Sequence, residues 1–199
     1  MDEVQALYRS QLMEIKRRHA AAIALFTNDT QTLYEATTIE SACLQFRKIL
    51  ELIAFSSLIA NQKSYSKQHA KFATHWNANT LLRDLERVNP DFYPQPVIQI
   101  PSPHPMIPRK IENKLDGYLT KTQFVKVYEK CGGIMHANNP YGTKTNFEYY
   151  KENMPKWAKL IEGLLNAHIV KLLGDEKRFY LFQMNKDDEM PSYNAFEQI

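Results

Sequence analysis

The sequence predicts a mainly α protein: a helical bundle of about five helices, crossed by a proline-rich segment and closed by a small C-terminal β-hairpin. Three observations carry this. Apolar residues recur at helical spacing through most of the chain, prolines crowd one stretch between Pro90 and Pro108, and strand-favouring aromatic residues gather near the end. At 199 residues the chain is long enough for one sizeable core and cramped for two, so residues 1–199 are read as a single helical domain.

The first helix is expected from Asp2 to about Phe26, where Val4, Leu7, Leu12, Ile15, Ile23 and Phe26 alternate with Arg9, Lys16, Arg17 and Arg18 on the other face. Asn28-Asp29-Thr30 breaks it with turn residues. A second helix follows through Ile39, Cys43, Phe46, Leu50, Ile53, Ser57 and Ala60, with Leu44, Leu52, Phe55, Leu58 and Ile59 widening its apolar surface. That width predicts a helix surrounded by neighbours, at the centre of the fold. Its apolar run is too short for a bilayer, which needs about 20 such residues.

A third helical stretch is expected from about Lys67 to Val88, with a break near Asn77-Ala78-Asn79, ending at Asn89-Pro90 because a residue before proline disfavours helix. Residues 90–117 then hold Pro94, Pro96, Pro101, Pro103, Pro105 and Pro108, and are read as a strap or loop rather than helix or central strand. Thr120-Lys121-Thr122-Gln123 has capping-box spacing and predicts the start of a fourth helix. Its apolar stripe, Phe124, Tyr128, Cys131 and Met135, runs across Gly132-Gly133. The spacing fits both a close-packing point within the helix and a stop. Met154, Trp157, Leu160, Ile161, Leu164 and Leu165 predict a fifth helix with Pro155 in its first turn. Residues 167–185 are expected to form a hairpin around Gly174-Asp175-Glu176-Lys177, which must pack on the helices or pair with another chain.

Hydrophobic residues make up 44% and charged residues 24%, ordinary globular values that argue against disorder. The net charge is +3, and Arg109, Lys110, Lys114, Lys121, Lys126 and Lys130 are diluted by Glu112, Asp116 and Glu129, as on a solvated face. Cys43 and Cys131 have no CxxC partner and the start of the chain is acidic, so a reducing cytoplasm is expected and no membrane association. No Walker lysine loop, GxGxxG turn or GxSxG elbow occurs. His69, His75, His104, His136 and His168 lack zinc-like spacing, so neither metal nor cofactor is expected.

Chemistry concentrates in Lys130-Cys131-Gly132-Gly133-Ile134-Met135-His136-Ala137-Asn138-Asn139-Pro140, where an imidazole, a cation, a thiol and amides lie together. His136 is the candidate general acid or base, Lys130 the cation for a phosphate, and Asn138 and Asn139 the orienting amides. The competing reading makes His136 a capping residue at a helix end. A thiolate pair of Cys131 with His136 is disfavoured, since five residues on a continuous helix set them about 140° apart. Arg47 and Glu51, one turn apart in the most apolar helix, need partners. Either they form an ion pair that sets register, or Arg47 reaches the His136 region as a substrate contact. Tyr149-Tyr150 and Trp157 read as core packing rather than a stacking platform.

Several segments resemble a group of uncharacterised bacterial helical proteins: Leu44 to Ile53, Asp91-Phe92-Tyr93-Pro94-Gln95-Pro96, Tyr118-Leu119-Thr120-Lys121, Tyr128 with Cys131-Gly132 and His136, and Leu164-Leu165-Asn166-Ala167-His168. A looser resemblance is to the HEPN superfamily, all-helical domains that include many RNases of bacterial conflict systems. Their signature is an arginine a few residues before a histidine, assembled across a dimer into a metal-independent cleavage site. Here Lys130 precedes His136 at that spacing. Lysine offers a mobile point charge where arginine would hold a phosphate through two parallel hydrogen bonds. The resemblance implies an RNA-directed protein of a bacterial defence or toxin-type system, a homodimer, with a degenerate endoribonuclease as its enzymatic form. The alternative is a non-enzymatic protein-binding or dimerisation module that contacts a protein partner through the hairpin and strap.

Overall fold

A computed structural model describes residues 2–60, 78–103, 109–171, 178–186 and 189–197. Among them run α1 (Asp2–Phe26), α2 (Glu35–Ala60), α3 (Ala78–Val88), β1 (Gln95–Pro101), β2 (Arg109–Asn113), α4 (Lys121–Gly133), α5 (Phe147–Leu165), β3 (Ala167–Lys171), β4 (Arg178–Gln183) and β5 (Ser192–Glu197). The strands make one antiparallel sheet in the order β2-β1-β3-β4-β5. The fold is thus helix plus sheet. The expectation of a mainly α, all-α bundle with only a small hairpin is corrected.

The hairpin itself forms, with Ala167 opposite Gln183 and Lys171 opposite Phe179. Its two faces of unpaired backbone are then taken up by strands that the sequence reading did not contain. On one side β5 pairs along β4 from Arg178↔Glu197 to Gln183↔Ser192. On the other, the proline-rich stretch supplies β1. A strand with Pro96 and Pro101 is tolerated there because the two prolines stand near its ends, and Pro96 still contributes a carbonyl, which accepts from the Lys114 N–H at 3.0 Å. Gln95 and Pro96 pair with β3, whereas Val97 to Pro101 pair with β2. Both prolines thus lie where a ladder begins or stops, the positions at which a missing N–H donor costs least. Between them Val97-Ile98-Gln99-Ile100 is proline-free and β-branched, a strand signal that the proline density masked.

The helices follow their apolar periodicity closely. Asn28, at φ 64, ends α1 in the left-handed conformation, and the Thr27 and Thr30 N–H groups return to the carbonyls of Ile23 and Ala24. The buried residues of α2, from Thr38 and Ile39 to Ala60, cover enough of its surface that it packs against α1, α3, α4 and α5. It is the central helix, as its width predicts. The predicted helical stretch from about Lys67 to residue 77 lies outside the described residues. Thr120 and Gln123 form the capping box of α4, side chain to backbone in both directions.

The fifth helix begins earlier than its apolar run suggested. Asn146 caps it, its side-chain oxygen accepting from the Tyr149 N–H at 3.1 Å, so Pro155 falls in the helix interior rather than the first turn. Lys151 and Pro155 are both exposed, so the helical bond that Pro155 removes lies on the outer face of α5. Below the sheet, α1 seats Tyr8 against Phe182 at 4.3 Å between ring centres, while Phe46 of α2 meets Trp157 of α5 edge-on at 5.8 Å. One core thus joins helices to sheet.

Candidate functional site

The Gly132-Gly133 pair sits at the end of α4, and its two members do different things. A Cβ at Gly132 would stand 2.5 Å from Arg47 Nη1, so the first glycine admits a guanidinium against the helix. Nothing lies within 4 Å of a Cβ at Gly133, which is the last residue of α4. Close packing and a stop, both open in the sequence, are divided between neighbours.

Arg47 is held by more than Gly132. Its Nη2 donates to the Tyr128 hydroxyl at 2.7 Å, its Nε lies 3.3 Å from Glu51, and its Cζ lies 4.1 Å from the centre of the Tyr128 ring. Tyr128 in turn donates to Glu51 at 3.2 Å. The result is a half-buried triad across α2 and α4 in which charge is balanced and donors are engaged. Arg47 reaches the glycines four residues before His136, but as part of this cluster.

His136 lies on the turn beyond α4 and is exposed, with its backbone N–H 3.4 Å from the Gly133 carbonyl. Among the described residues no hydrogen bond or ion pair holds its ring. Lys130, on the last turn of α4, is also exposed. Its ammonium lies 5.2 Å from the centre of the Tyr149 ring, a cation–π contact, and its carbonyl accepts from the Tyr150 hydroxyl at 3.1 Å. Burial pushes the Tyr150 phenol up to about 12. The two amides shape the loop. Asn138 accepts from the Thr145 hydroxyl at 2.6 Å, and Asn139 accepts from the Tyr141 N–H at 3.0 Å in an Asx turn.

Lys130 and Gly133 line a cleft of about 440 Å³ between α4 and α5, together with Lys126, Glu129, Tyr149, Tyr150 and Trp157. This cleft was not read from the sequence. Its signals were present as Lys126 and Lys130 one turn apart and as the Tyr149-Tyr150 pair, but both have ordinary explanations. In the structure Tyr150 and Trp157 are buried as core residues should be, and Tyr149 is half-exposed beside the lysine.

Cys131 is fully buried against α2, whereas the His136 ring is exposed, and no hydrogen bond joins them. The Cys131 side chain beside it, and then burial, push the Cys43 thiol far above its ordinary range, so Cys43 is not an activated nucleophile. Among the described residues no group of three or more His, Cys, Asp or Glu side chains is placed to hold a metal. His69, His75 and His104 lie outside those residues. His168 is fully buried and bonded to Tyr8 at 2.9 Å. No described helix is long and apolar enough to cross a membrane.

Comparison of the chain with protein-family models, curated proteins and solved structures gives no match. The chemistry must be argued from the site. An exposed imidazole can exchange protons, an exposed lysine can attract phosphate, and an aromatic ring beside that lysine can receive a planar group.

Proposed function

We propose that the protein is RNA-directed, with the rim of the α4–α5 cleft as its contact surface and a degenerate rather than a competent nuclease site. The observation that supports this most is the exposed Lys130 ammonium stacked on Tyr149; the exposed His136 follows six residues later, past the end of α4 and outside the cleft lining. Aromatic rings beside lysines take up unpaired bases and their phosphates without reading sequence. Lys126 adds a second cation on the same wall, tempered by Glu129. Cleavage asks for more than this. The arginine that could replace the missing one, Arg47, is engaged by Glu51 and Tyr128. The unpaired thiols of Cys43 and Cys131 fit a reducing compartment, and we place the protein in the cytoplasm.

The test is fluorescence anisotropy with a labelled single-stranded RNA at several salt concentrations, alongside a cleavage assay. Binding should weaken as salt rises, and Lys130→Ala should lower affinity by about fivefold to tenfold while flattening that dependence. Any cleavage should disappear in His136→Ala. Affinity indifferent to salt and to Lys130→Ala would refute RNA recognition at this cleft.

A second reading, a protein-binding or dimerisation module, is favoured by a different feature. Leu33 and Tyr34 before α2 and Tyr141 before α5 are large and largely exposed, at 102%, 62% and 98%. Lys151 of α5 pairs with Glu35 of α2, which places the beginnings of these two helices side by side. A homodimer through this end should appear by light scattering and dissociate in a Leu33→Asp, Tyr141→Asp variant, with no response to His136→Ala.

A further inference from the structure

A second cleft, of about 410 Å³, lies between α1 and the C-terminal end of α5, bordered by Met184 and Asn185. It shares no residue with the α4–α5 cleft. Ile15, Ile23, Ile161 and Leu165 give it an apolar floor, and Lys16, His19, Asp29 and Glu162 its titratable groups. Its volume falls within the range of small-molecule sites, about 300–1,000 Å³.

What such a cleft accepts depends on which polar groups are free. Lys16 has three N–H donors, and they are directed to the carbonyl oxygens of Met184, Lys186 and Glu189. Its charge is already solvated by protein. His19 Nε2 lies 3.0 Å from the Ala158 carbonyl, which can only accept, so Nε2 carries the hydrogen and Nδ1 of the neutral ring is an acceptor. Asn185 is occupied on both sides, donating to Met190 and accepting from Ser192. Glu162 and Asp29 are exposed carboxylates with no ion pair among the described residues; Asp29 accepts one hydrogen bond, from the Thr27 hydroxyl. The last turn of α5 adds the partial negative charge of a helix C-terminus. Neutral amide donors remain at Asn166 and Asn185, but the charges left without an ion pair are the two carboxylates. With one lysine held by carbonyls against two unpaired carboxylates, the charge balance favours an ammonium over a carboxylate or phosphate.

We propose that this cleft binds an aliphatic ammonium, a primary amine on a short alkyl chain, with the chain along the isoleucine floor and the charge beside Glu162 and His19. The experiment is calorimetric titration of the full chain with hexylamine, hexanol and hexanoate, at a pH of about 8 where imidazole is neutral. Hexylamine should bind in the millimolar range or tighter, about fivefold better than hexanol, the most that an exposed ammonium–carboxylate contact supplies. Hexanoate should bind worst. Glu162→Gln, at an exposed position, should bring hexylamine down to the hexanol level and leave hexanol unchanged. Ala20→Leu, which fills the cleft from α1, should weaken both. Equal binding of hexylamine and hexanol, preference for hexanoate, indifference to Glu162→Gln, or no binding of any of the three would each overturn the proposal.

Discussion

At the scale of single residues, His168 shows how burial sets a protonation state. Its Nδ1 lies 2.9 Å from the Leu165 carbonyl, an atom that only accepts, so Nδ1 carries the hydrogen. Nε2 is then an acceptor, and the Tyr8 hydroxyl donates to it at 2.9 Å. The ring is fully buried and nearly parallel to Phe182, so a proton added to it would place charge in the core. Burial accordingly lowers the His168 pKa from 6.5 to about 4, the Leu165 hydrogen bond opposing this only in part. In the unfolded chain the same imidazole takes up its proton near 6.5. Between these values the unfolded state binds more protons, so stability falls as pH drops from 6.5 to about 4 and this contribution is gone below that. The shift corresponds to about 3 kcal/mol. Urea denaturation at a series of pH values should show this loss, and His168→Gln, less stable at neutral pH, should show a correspondingly flatter dependence. An equal pH slope in the two proteins would contradict the assignment.

At the scale of elements, the connection from β2 to α4 is locked onto α5 by two glycines. Gly117, at φ +67, turns the chain so that its carbonyl rests on Gly163, and a Cβ at Gly163 would overlap that oxygen. Around this contact the Leu119 N–H donates to the Leu160 carbonyl at 2.9 Å, the Tyr93 hydroxyl donates to the Leu119 carbonyl at 2.9 Å, and Lys114 reaches the Gly163 carbonyl at 3.3 Å. Because the obstacle is backbone already fixed by these bonds, it cannot swing aside as a side chain would. Gly163→Ala should therefore destabilise the protein by about 1–3 kcal/mol despite improving helix propensity. Thermal unfolding measures it, and a variant at least as stable as the parent would show that the strap yields. Gly163 carries no local signal of its role, since its partner, Gly117, is 46 positions away. Local signals fared better where the chemistry was local: Thr120 and Gln123 announced α4 because both halves of a capping box lie within one turn. The cap at Asn146 was obscured by the polar loop in front of it.

At the scale of the whole molecule, the sheet has a strong half and a weak half. β3 and β4 pair over the core, with His168, Val170, Tyr180, Leu181 and Phe182 buried. β1 and β2 pair beyond it, where Ile98 is 43% exposed and four of the five β2 residues are exposed. This asymmetry explains why sequence reading found one hairpin and missed the other. Phe179, Tyr180, Leu181 and Phe182 stand clear as a strand, whereas the β-branched run Val97 to Ile100 is set among prolines that mask it. The candidate site was legible to a similar degree. His136 and Lys130 stand out by residue type, but the Arg47–Glu51–Tyr128 cluster and the Tyr149 wall depend on helix packing that one-dimensional spacing does not encode. The same asymmetry governs how the molecule should open. Amides of a strand pair that leans on few buried side chains exchange through local opening, and those over the core exchange only when most of the structure unfolds. Native-state hydrogen exchange should find the β3–β4 amides of Val170 and Phe182 protected close to the global stability, and those of Ile98 and Glu112 in the β1–β2 ladder exchanging at least about tenfold faster. Uniform protection across all the strands would mean that β1 and β2 are held as firmly as the core hairpin, and that the crossing from β3 to β2 along β1 is no hinge in the fold's energetics.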